Sequence, residues 1–525
     1  MANKALTRTD HPLASSPTST PAVALTRRGL LGISLGAAAA FALGACGSEA
    51  GAGVSGGRLT WAWQLPTTWD PVTSSAGSDV QMLALVYEGI TGLDEKGNPV
   101  PWLAEKWTYD PTGTQVTFTL KEGLKFSDGT PLDATAVAKS VERGRTADGS
   151  LIAPQMIGIT KVTASGDLDV VLDLAEVDYQ IPALFAGKTG MVVNPAAFEK
   201  DPAALATAPA GSGPFTLTTF VENDHAELVK NTHFQLADQI QVDEFHLYPQ
   251  PDPATAVASV QSGQYNVARI SGAQVEQAEQ AGLDVQILDS MFVSCLDVHA
   301  GMKPFDDPAV VDALKYGIDR EKIKKVANFD IGDVNYQPFP KGYVGYNPEL
   351  EGIYEYDPEK AKQVLADAGH TGTVKGEFTS AQPVAAVELI QAQLKEVGIE
   401  LTIKSIPATQ HTQLVYIEHS QALTYDGFAG RESPVQAFQV LFGKEGLMNP
   451  SRRTDPALEA QLKKVRATPT DDPTYPSILQ EAMKIAITSF PNTFLYNAPR
   501  IIVRKKVSEL PASPSLQRFE GVKTS

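Results

Sequence analysis

Residues 116–132 read VTFTLKEGLKFSDGTPL and combine the signals of a strand, a turn and the approach to a helix. Apolar and polar residues alternate over 116–121, as they do in a half-buried β-strand. An Asp-Gly pair then marks a turn. Asp133 follows, placed to cap a helix that carries Val137 and Val141 on one face. The succession of strand, turn and helix predicts an α/β fold.

Strand and helix signals alternate along the rest of the chain, which favours α/β layers throughout. The pairs at 307–308 and 357–358 each join a capping Asp to a first-turn Pro. Apolar residues spaced three and four apart over 387–397 predict a helix that ends at Gly398 and precedes an alternating strand at 399–403. The sequence shows no short-period repeat, and this disfavours a solenoid or a propeller.

Composition narrows the class of protein. The 525 residues include 43 Lys plus Arg against 61 Asp plus Glu, a formal net charge of -18. Such a surface repels phosphates, so a nucleic-acid partner is not expected. A hydrophobic content of 43% is that of a globular protein. The length fits two to four folding units, and two cysteines allow one disulfide at most.

Residues 1–45 are predicted to be a signal peptide. A polar stretch ends at Arg27 and Arg28, and an apolar run rich in Gly and Ala then continues through Ala45. The run is typical of a signal-peptide core and not of a membrane span. The twin arginine resembles a Tat signal, which exports folded proteins. The alternative is the positively charged end of an ordinary Sec signal.

The run ends in Leu43-Gly44-Ala45-Cys46, which resembles a bacterial lipobox. We therefore expect Cys46 to carry the lipid that holds the protein on the outer face of the cell membrane, so that the lipid makes the membrane contact. A buried cysteine after an apolar helix is the alternative. Residues 46–57, rich in Gly and Ser, are predicted to be a flexible tether. Cys295 would then be a free thiol in a buried strand over 291–298.

The motifs of catalysis and of metal binding are incomplete. Residues 187–189 read Gly-Lys-Thr, but Pro182 stands where a phosphate loop needs its first glycine. Ser212 is flanked by Ala210 and Pro214 at the positions where a nucleophile elbow needs glycine. The sequence contains no His-Glu-x-x-His and no paired Cys-x-x-Cys. We predict no catalytic residue, no metal site and no cofactor, and hence a protein that is not an enzyme.

Several blocks of sequence, taken in order, resemble the bacterial extracytoplasmic solute-binding proteins of family 5, which serve peptide, nickel and opine ABC importers. The resemblance extends over about residues 58–500, and the stretch 118–132 is its most specific part. The matching blocks are Trp69-Asp70-Pro71, VYEGI at 86–90, PWLAEKW at 101–107, FTLKEGLKFSDGTPL at 118–132, GSGPF at 211–215, QSGQY at 261–265, PFDD at 304–307, YDPEKA at 356–361 and IQAQLKEVGI at 390–399.

The resemblance implies an α/β, periplasmic-binding-protein-like fold of the class C (cluster C) type. Two hinged lobes with mixed β-sheets flanked by helices would carry an additional domain. Lobe I would comprise residues 58–97, 205–288 and 488–525. The additional domain would comprise residues 98–204, and lobe II residues 289–487.

The function that the resemblance implies is that of an extracytoplasmic substrate-binding lipoprotein of an ABC importer. A monomer in the periplasmic space would trap a peptide between its lobes and deliver it to a permease complex in the membrane. One alternative keeps this role for an anionic solute, such as a metal chelate, an opine or an acidic peptide. A remote alternative is a lipid-anchored hydrolase of the cell envelope.

Candidate ligand contacts follow from the same resemblance. In peptide-binding relatives an acidic residue after an aromatic-glycine stretch pairs with the peptide's α-ammonium group, and Arg431 stands at the matching position. Glu432 or Asp426 would then have to take over that pairing. Arg431 itself suits a carboxylate, and Arg269 is a candidate second anion contact. For each arginine the alternative is an ordinary salt bridge.

Aromatic residues supply the remaining candidates. Trp63 and Trp69 belong to the first lobe, and Tyr425 and Phe428 to the second. These rings are predicted to wall the ligand site from both sides. The alternative for Trp63, which alternates with Trp61 along a strand, is a place in the core.

Overall fold

The computed structural model describes residues 57–250, 252–381, 385–513 and 515–525. The predicted signal peptide, Cys46 and all but the last residue of the predicted tether lie outside the described residues. The strands, in chain order, are β1 (Gly57–Trp63), β2 (Thr91–Leu93), β3 (Pro99–Pro101), β4 (Ala104–Tyr109), β5 (Gln115–Leu120), β6 (Ile159–Ser165), β7 (Asp169–Leu174), β8 (Phe215–Val221), β9 (His225–Lys230), β10 (Val242–Pro249), β11 (Val267–Ile270), β12 (Asp284–Leu288), β13 (Val293–Val298), β14 (Val374–Ser380), β15 (Ile399–Ser405), β16 (Leu423–Phe428), β17 (Thr493–Asn497) and β18 (Arg500–Arg504).

The first sheet combines early strands with the last strand of the described chain. Its order is β12-β18-β11-β1-β10-β9-β8. β1 is parallel to both neighbours, β10 and β11, and β18 runs antiparallel between β11 and β12. One face carries a core that includes Trp61 and Phe245, and the opposite face carries a core that includes Ala62 and Val503. We call the part of the molecule built on this sheet the first lobe.

The second sheet has the order β15-β14-β16-β13-β17. β14 is parallel to β15 and β16, whereas β13 is antiparallel to β16 and β17. Every residue of β13 is buried, because helices and loops cover both of its faces. Cys295 in this strand is a buried free thiol, which confirms the prediction for its side chain. We call the part built on this sheet the second lobe.

Residues 98–204 contain an antiparallel sheet of their own, with the order β4-β5-β7-β6. Its β5 confirms the strand predicted from the alternation over 116–121. Phe118 and Leu172 on this sheet pack with Val137 of the covering helix in a separate core. We call this segment the insert. The short strands β2 and β3 pair with each other where the first lobe meets the insert.

Acidic side chains cap the helices at the predicted positions. Asp133 accepts a hydrogen bond from the backbone N–H of Ala136 at 2.8 Å, and Asp307 and Asp357 cap their helices in the same way. These carboxylates satisfy N–H groups that have no partner within the helix. The helices are α1 (Val80–Leu83), α2 (Ala134–Thr146), α3 (Ile181–Leu184), α4 (Pro195–Lys200), α5 (Pro253–Ser262), α6 (Val275–Gln280), α7 (Pro308–Tyr316), α8 (Arg320–Asn328), α9 (Pro358–Asp367), α10 (Ala385–Glu396), α11 (Ala408–His411), α12 (Pro434–Phe442), α13 (Pro456–Ala467) and α14 (Tyr475–Ser489).

The chain passes between the two lobes in two short segments. Residues 289–292 join β12 of the first sheet to β13 of the second, and residues 498–499 join β17 back to β18. The predicted start of the last lobe I segment at 488 lies before β17 and not after it. Because β17 pairs with β13, the sheets place 493–497 with the second lobe.

None of the described helices is both long and apolar enough to cross a membrane. The longest, α14, has buried residues at 479, 482, 483, 486 and 487, so one of its faces packs on the core of the second lobe.

Candidate functional site

Arg431 lies where the second lobe meets the first. β16 ends at Phe428, and Gly430 then adopts a left-handed φ of 81° that turns the chain. The guanidinium group of Arg431 lies 5.4 Å from the centre of the Phe428 ring. On its other side is Gly77 of the first lobe, where an added Cβ would lie 3.6 Å from Nη1 of Arg431. A guanidinium group thus stands between the lobes.

The charge of Arg431 is only partly balanced. Burial lowers its pKa, and the nearby carboxylate of Glu432 acts in the opposite direction. Yet Arg431 has no carboxylate within 4 Å among the described side chains. The one hydrogen bond that its guanidinium group makes in the described structure goes from Nη1 to the carbonyl oxygen of Gly430. The remaining N–H donors are available to a ligand oxygen.

Two more charged side chains, those of Glu432 and Lys188, lie near Arg431 and form a charged group with it. The Glu432 carboxyl group lies so close to Gly187 of the insert that a Cβ on that glycine would overlap it. Lys188 donates a hydrogen bond from Nζ to the carbonyl oxygen of Ser74 at 2.7 Å. Burial lowers the pKa of Lys188; the charge of Asp79 opposes this fall, and the charge of Arg431 adds to it. The second lobe and the insert supply the charged side chains of this group, and the first lobe contacts them through Gly77 and Ser74.

Asp426 is less suited to receive an ammonium group. It accepts a hydrogen bond from the hydroxyl group of Tyr416 at 2.7 Å, and Nε2 of His411 lies 3.6 Å from its carboxylate. Burial raises the pKa of Asp426, although the charge of His411 opposes the rise. Its partners all belong to the second lobe. Of the two acids considered for an ammonium group, only Glu432 lies at the contact between the lobes.

The four aromatic candidates occupy different surroundings. The side chains of Trp69 and Phe428 are fully buried. Trp69 packs edge-on against Phe220 at 6.0 Å within the first lobe, and Phe428 belongs to the core of the second. Neither side chain is therefore open to solvent for direct contact with a ligand, although Phe428 supports Arg431. Tyr425 is half-buried, and its hydroxyl group accepts a hydrogen bond from Ser294 at 3.1 Å.

Trp63 and Arg269 lie together at one end of the first sheet. The Trp63 ring stacks on Trp61 with 4.5 Å between ring centres and is 8% exposed. Arg269 is exposed at the matching end of the neighbouring strand β11. The guanidinium group of Arg500 lies 5.9 Å from the centre of the Trp63 ring. Arg500 carries no local sequence signal, since its position depends on β18 entering between β11 and β12.

The insert also contacts the second lobe directly. Arg466 of α13 donates a hydrogen bond from Nη1 to the Asp178 carboxylate at 2.7 Å. Tyr475 of α14 donates one to the side-chain oxygen of Gln180, also at 2.7 Å. Both contacts join residues nearly 300 positions apart in the chain. They add a second junction between the parts of the molecule that surround Arg431.

A cavity of about 310 Å³ lies apart from Arg431, Glu432 and Lys188, and residues 515–520 near the C-terminus line one side of it. Glu88 and Trp102 line it, and the guanidinium group of Arg518 lies 3.9 Å from the centre of the Trp102 ring. Burial raises the pKa of Glu88 to about 7, against the opposing effect of its hydrogen bond from Gln235. No group of His, Cys, Asp and Glu side chains suited to a metal ion occurs in the described part of the chain.

Comparisons with known proteins agree with this architecture. The family described as bacterial extracellular solute-binding proteins, family 5 Middle, matches residues 98–448. The glutathione-binding protein GsiB of Salmonella paratyphi A is 26% identical over 394 residues, which cover 71% of this chain and 72% of that protein.

Solved structures with the same fold include the Helicobacter pylori ABC transporter-associated periplasmic binding protein DppA in complex with the peptide STSA. Its TM-score is 0.78 at 21% identity, over 89% of this chain and 98% of that one. The binding protein AgaA of A. tumefaciens R10, in complex with agropinic acid, has a TM-score of 0.76 at 22% identity, over 89% of this chain and 99% of that one. These likenesses confirm the predicted α/β, periplasmic-binding-protein-like fold.

Proposed function

The chain belongs to the bacterial extracellular solute-binding proteins of family 5, and we propose that it is the receptor of an ABC importer and binds peptides between its two lobes. The single observation that carries the proposal is the placement of Arg431 and Glu432 of the second lobe against Gly77 of the first and Gly187 of the insert. A ligand held at that contact touches both lobes. The relatives named for glutathione and for the peptide STSA support peptides as the ligand class.

The mechanism follows from the two crossings at 289–292 and 498–499. Two short connections allow the lobes, with the insert, to move as rigid bodies about a hinge. A ligand that contacts both lobes only in the closed state shifts the population toward that state. Moving the ratio of closed to open from 1:99 to 99:1 takes about 5.5 kcal/mol of preferential binding. A permease that recognises the closed form then receives only loaded receptor.

A second candidate function keeps the receptor and changes the cargo to an anionic solute. Arg431 favours it, because a guanidinium group without a carboxylate partner binds a ligand carboxylate with two parallel hydrogen bonds. The AgaA structure with agropinic acid shows that this fold accommodates such a compound. An acidic peptide satisfies both candidate functions.

We also propose a lipid anchor on Cys46 after export through the Tat route, with the mature protein a monomer outside the cytoplasm and bound to the cell membrane. The twin arginine and the lipobox support it. Cys46→Ala is expected to release the protein into the medium or to leave the precursor unprocessed. Normal processing with full membrane retention contradicts the anchor. Binding, and not catalysis, is the proposed activity, since the relatives named above are binding proteins.

Native mass spectrometry of the mature protein, purified gently from its own envelope, tests the function. A ladder of peptide masses is expected for a peptide receptor, and one discrete anionic mass for the second candidate. The purified protein is then titrated with mixtures of di- to decapeptides while its thermal unfolding is followed. A receptor that retains no ligand and shows no saturable stabilisation contradicts the proposal.

A further inference from the structure

Three strands of the first sheet bring two arginines and a tryptophan together. β1 and β11 are parallel, and pairing of Ala62 with Ala268 places Trp63 beside Arg269 at their carboxyl ends. β18 is antiparallel to β11, and Arg269 pairs with Ile502. Arg500 lies two residues before Ile502 and therefore on the same face as Arg269. In α/β sheets ligands bind outside the carboxyl ends of parallel strands.

Neither guanidinium group has an acidic partner. Among the described residues, no carboxylate lies within 4 Å of Arg269 or Arg500. Arg500 donates from Nη2 to the carbonyl oxygen of Ser513 and to the side-chain oxygen of Gln517, both at 3.3 Å. Its Nε and Nη1 make no hydrogen bond within the part of the chain that the structure describes. Arg500 therefore has unused N–H donors, and its backbone is held in place in β18.

Another arginine of the same strand shows the contrast. Arg504, at the far end of β18, donates from Nη1 to the carbonyl oxygen of Val507 at 2.7 Å, and the Glu509 carboxylate lies 3.9 Å away. Arg500 instead faces a second positive charge. Burial, together with the smaller effect of the Arg269 charge, lowers the pKa of Arg500 to about 10. Two cations placed side by side in a chain of net charge -18 are stabilised by an anion between them.

We propose that Arg269 and Arg500 form a carboxylate subsite beside Trp63, at the hinge end of the first sheet. The subsite deepens the proposed receptor function and rests on it, since it specifies that the bound peptide presents a free carboxylate. Arg500 follows the crossing at 498–499 directly, so the anion is held next to the hinge. Arg431 is a separate positive group in the contact with the second lobe. A ligand with two acidic groups can place one at the Arg269–Arg500 subsite and the other at Arg431.

Two synthetic libraries of tripeptides test the subsite. Both are made from Ala, Ser, Leu and Phe, without Asp or Glu; one has free C-terminal carboxylates and the other C-terminal amides. Mature protein is incubated with an equimolar mixture of the two, separated by gel filtration, and the retained peptides are counted by mass spectrometry. Wild-type protein is expected to retain the free acids at least tenfold over the amides. The R269Q/R500Q double variant is expected to lose most of that preference.

The control is Arg58→Gln, the same type of substitution at the opposite end of β1, where Arg58 is exposed and paired with Glu244. It is expected to behave as the wild type. Equal retention of acids and amides by the wild type, or an undiminished preference in the double variant, overturns the subsite and leaves the receptor function standing. Retention of neither library by the wild type overturns the peptide receptor itself. Thermal unfolding of each variant shows that the proteins compared are folded.

Discussion

Arg143 in the insert and Arg431 in the second lobe are both largely removed from solvent, but their partners differ. Arg143 donates two parallel hydrogen bonds to Asp70, from Nη1 at 2.9 Å and from Nη2 at 2.6 Å, and their side chains are 10% and 4% exposed. Arg431 has no carboxylate within 4 Å in the described structure. The first arginine is saturated by the protein. The guanidinium group of Arg431 keeps N–H donors that have no acceptor in the described structure.

This difference separates structural from functional cations. A buried charge without a partner is costly for the folded state, and proteins keep such groups at binding sites, where the ligand supplies the partner. Arg500 follows the pattern of Arg431, whereas Arg269 is exposed and shares with them only the lack of a carboxylate within 4 Å among the described residues. The Arg143–Asp70 pair indicates a structural role for Arg143, whereas ligand binding by the other three arginines is our proposal, and each role is testable by substitution.

Replacing Arg143 should produce the largest effect. Arg143→Met leaves the Asp70 carboxylate buried without its cation, and removal of one partner of a buried pair typically costs about 3–5 kcal/mol. Urea unfolding followed by circular dichroism is expected to show a loss of this size. Arg58→Met, in an exposed pair with Glu244, should cost less than about 1 kcal/mol. Equal losses in the two variants would remove the structural role of Arg143.

Glu88 is a buried acid with no ion-pair partner within 4 Å among the described residues. Burial raises its pKa from an ordinary 4.5 to about 7, so the folded state binds more protons than the unfolded state between these values. Stability should therefore fall as the pH rises from 4.5 to about 7 and change no further above that. At about 1.4 kcal/mol for each pH unit, Glu88 contributes about 3 kcal/mol to this fall.

Glu88→Gln keeps an acceptor for Gln235 and removes the titration. Its free energy of unfolding is expected to depend less on pH between 5 and 7 than that of the wild type, and to exceed it at pH 8. Urea titrations at four pH values measure the difference. Parallel pH profiles for the two proteins contradict the assigned pKa.

Replacing Arg431 should act on affinity. Arg431→Ala is expected to weaken binding of the solute identified by native mass spectrometry more than tenfold, which corresponds to about 1.4 kcal/mol, with little change in unfolding. Arg431→Lys keeps the charge without the planar pair of donors and should lie between the two proteins. Isothermal titration calorimetry provides the constants. An unchanged constant in the alanine variant returns Arg431 to a structural role.

The smallest effect is expected at the Arg466–Asp178 pair between α13 and the insert, whose side chains are 31% and 15% exposed. Partly exposed pairs contribute up to about 1 kcal/mol, so Arg466→Gln should weaken binding at most about fivefold. Because the pair belongs to neither proposed ligand contact, the loss should be the same for every ligand. Calorimetry with two solutes tests this equality, and a changed order of preference contradicts it.

Local structure was largely predictable. The alternation at 116–121, the capping acids Asp133, Asp307 and Asp357, and the apolar spacing over 387–397 are all found where the pattern placed them. Each of these features depends on residues within a few positions of one another, so a single stretch of sequence contains the whole cause.

The candidate site was predictable only in part. Arg431, Glu432 and Arg269 lie where the lobes or strands meet, but Trp69 is enclosed by Phe220 and Arg500 went unrecognised. The boundary predicted at 488 assigns β17 to lobe I, but this strand pairs with β13 of the second lobe, which lies far earlier in the chain. Burial and pairing at these places depend on residues that are distant in sequence.

The α/β class, the helix caps, the strand patterns and the family could be predicted from the sequence alone. Each depends on local spacing or on motifs that follow one another in a characteristic order. Which arginines have a carboxylate partner depends on the tertiary structure. Arg143 meets Asp70 across 73 positions, whereas Arg431 lies beside Gly77 and has no carboxylate within 4 Å among the described residues. A charge is visible in the sequence, but its counterion is set by non-local packing, which brings together residues that are distant along the chain.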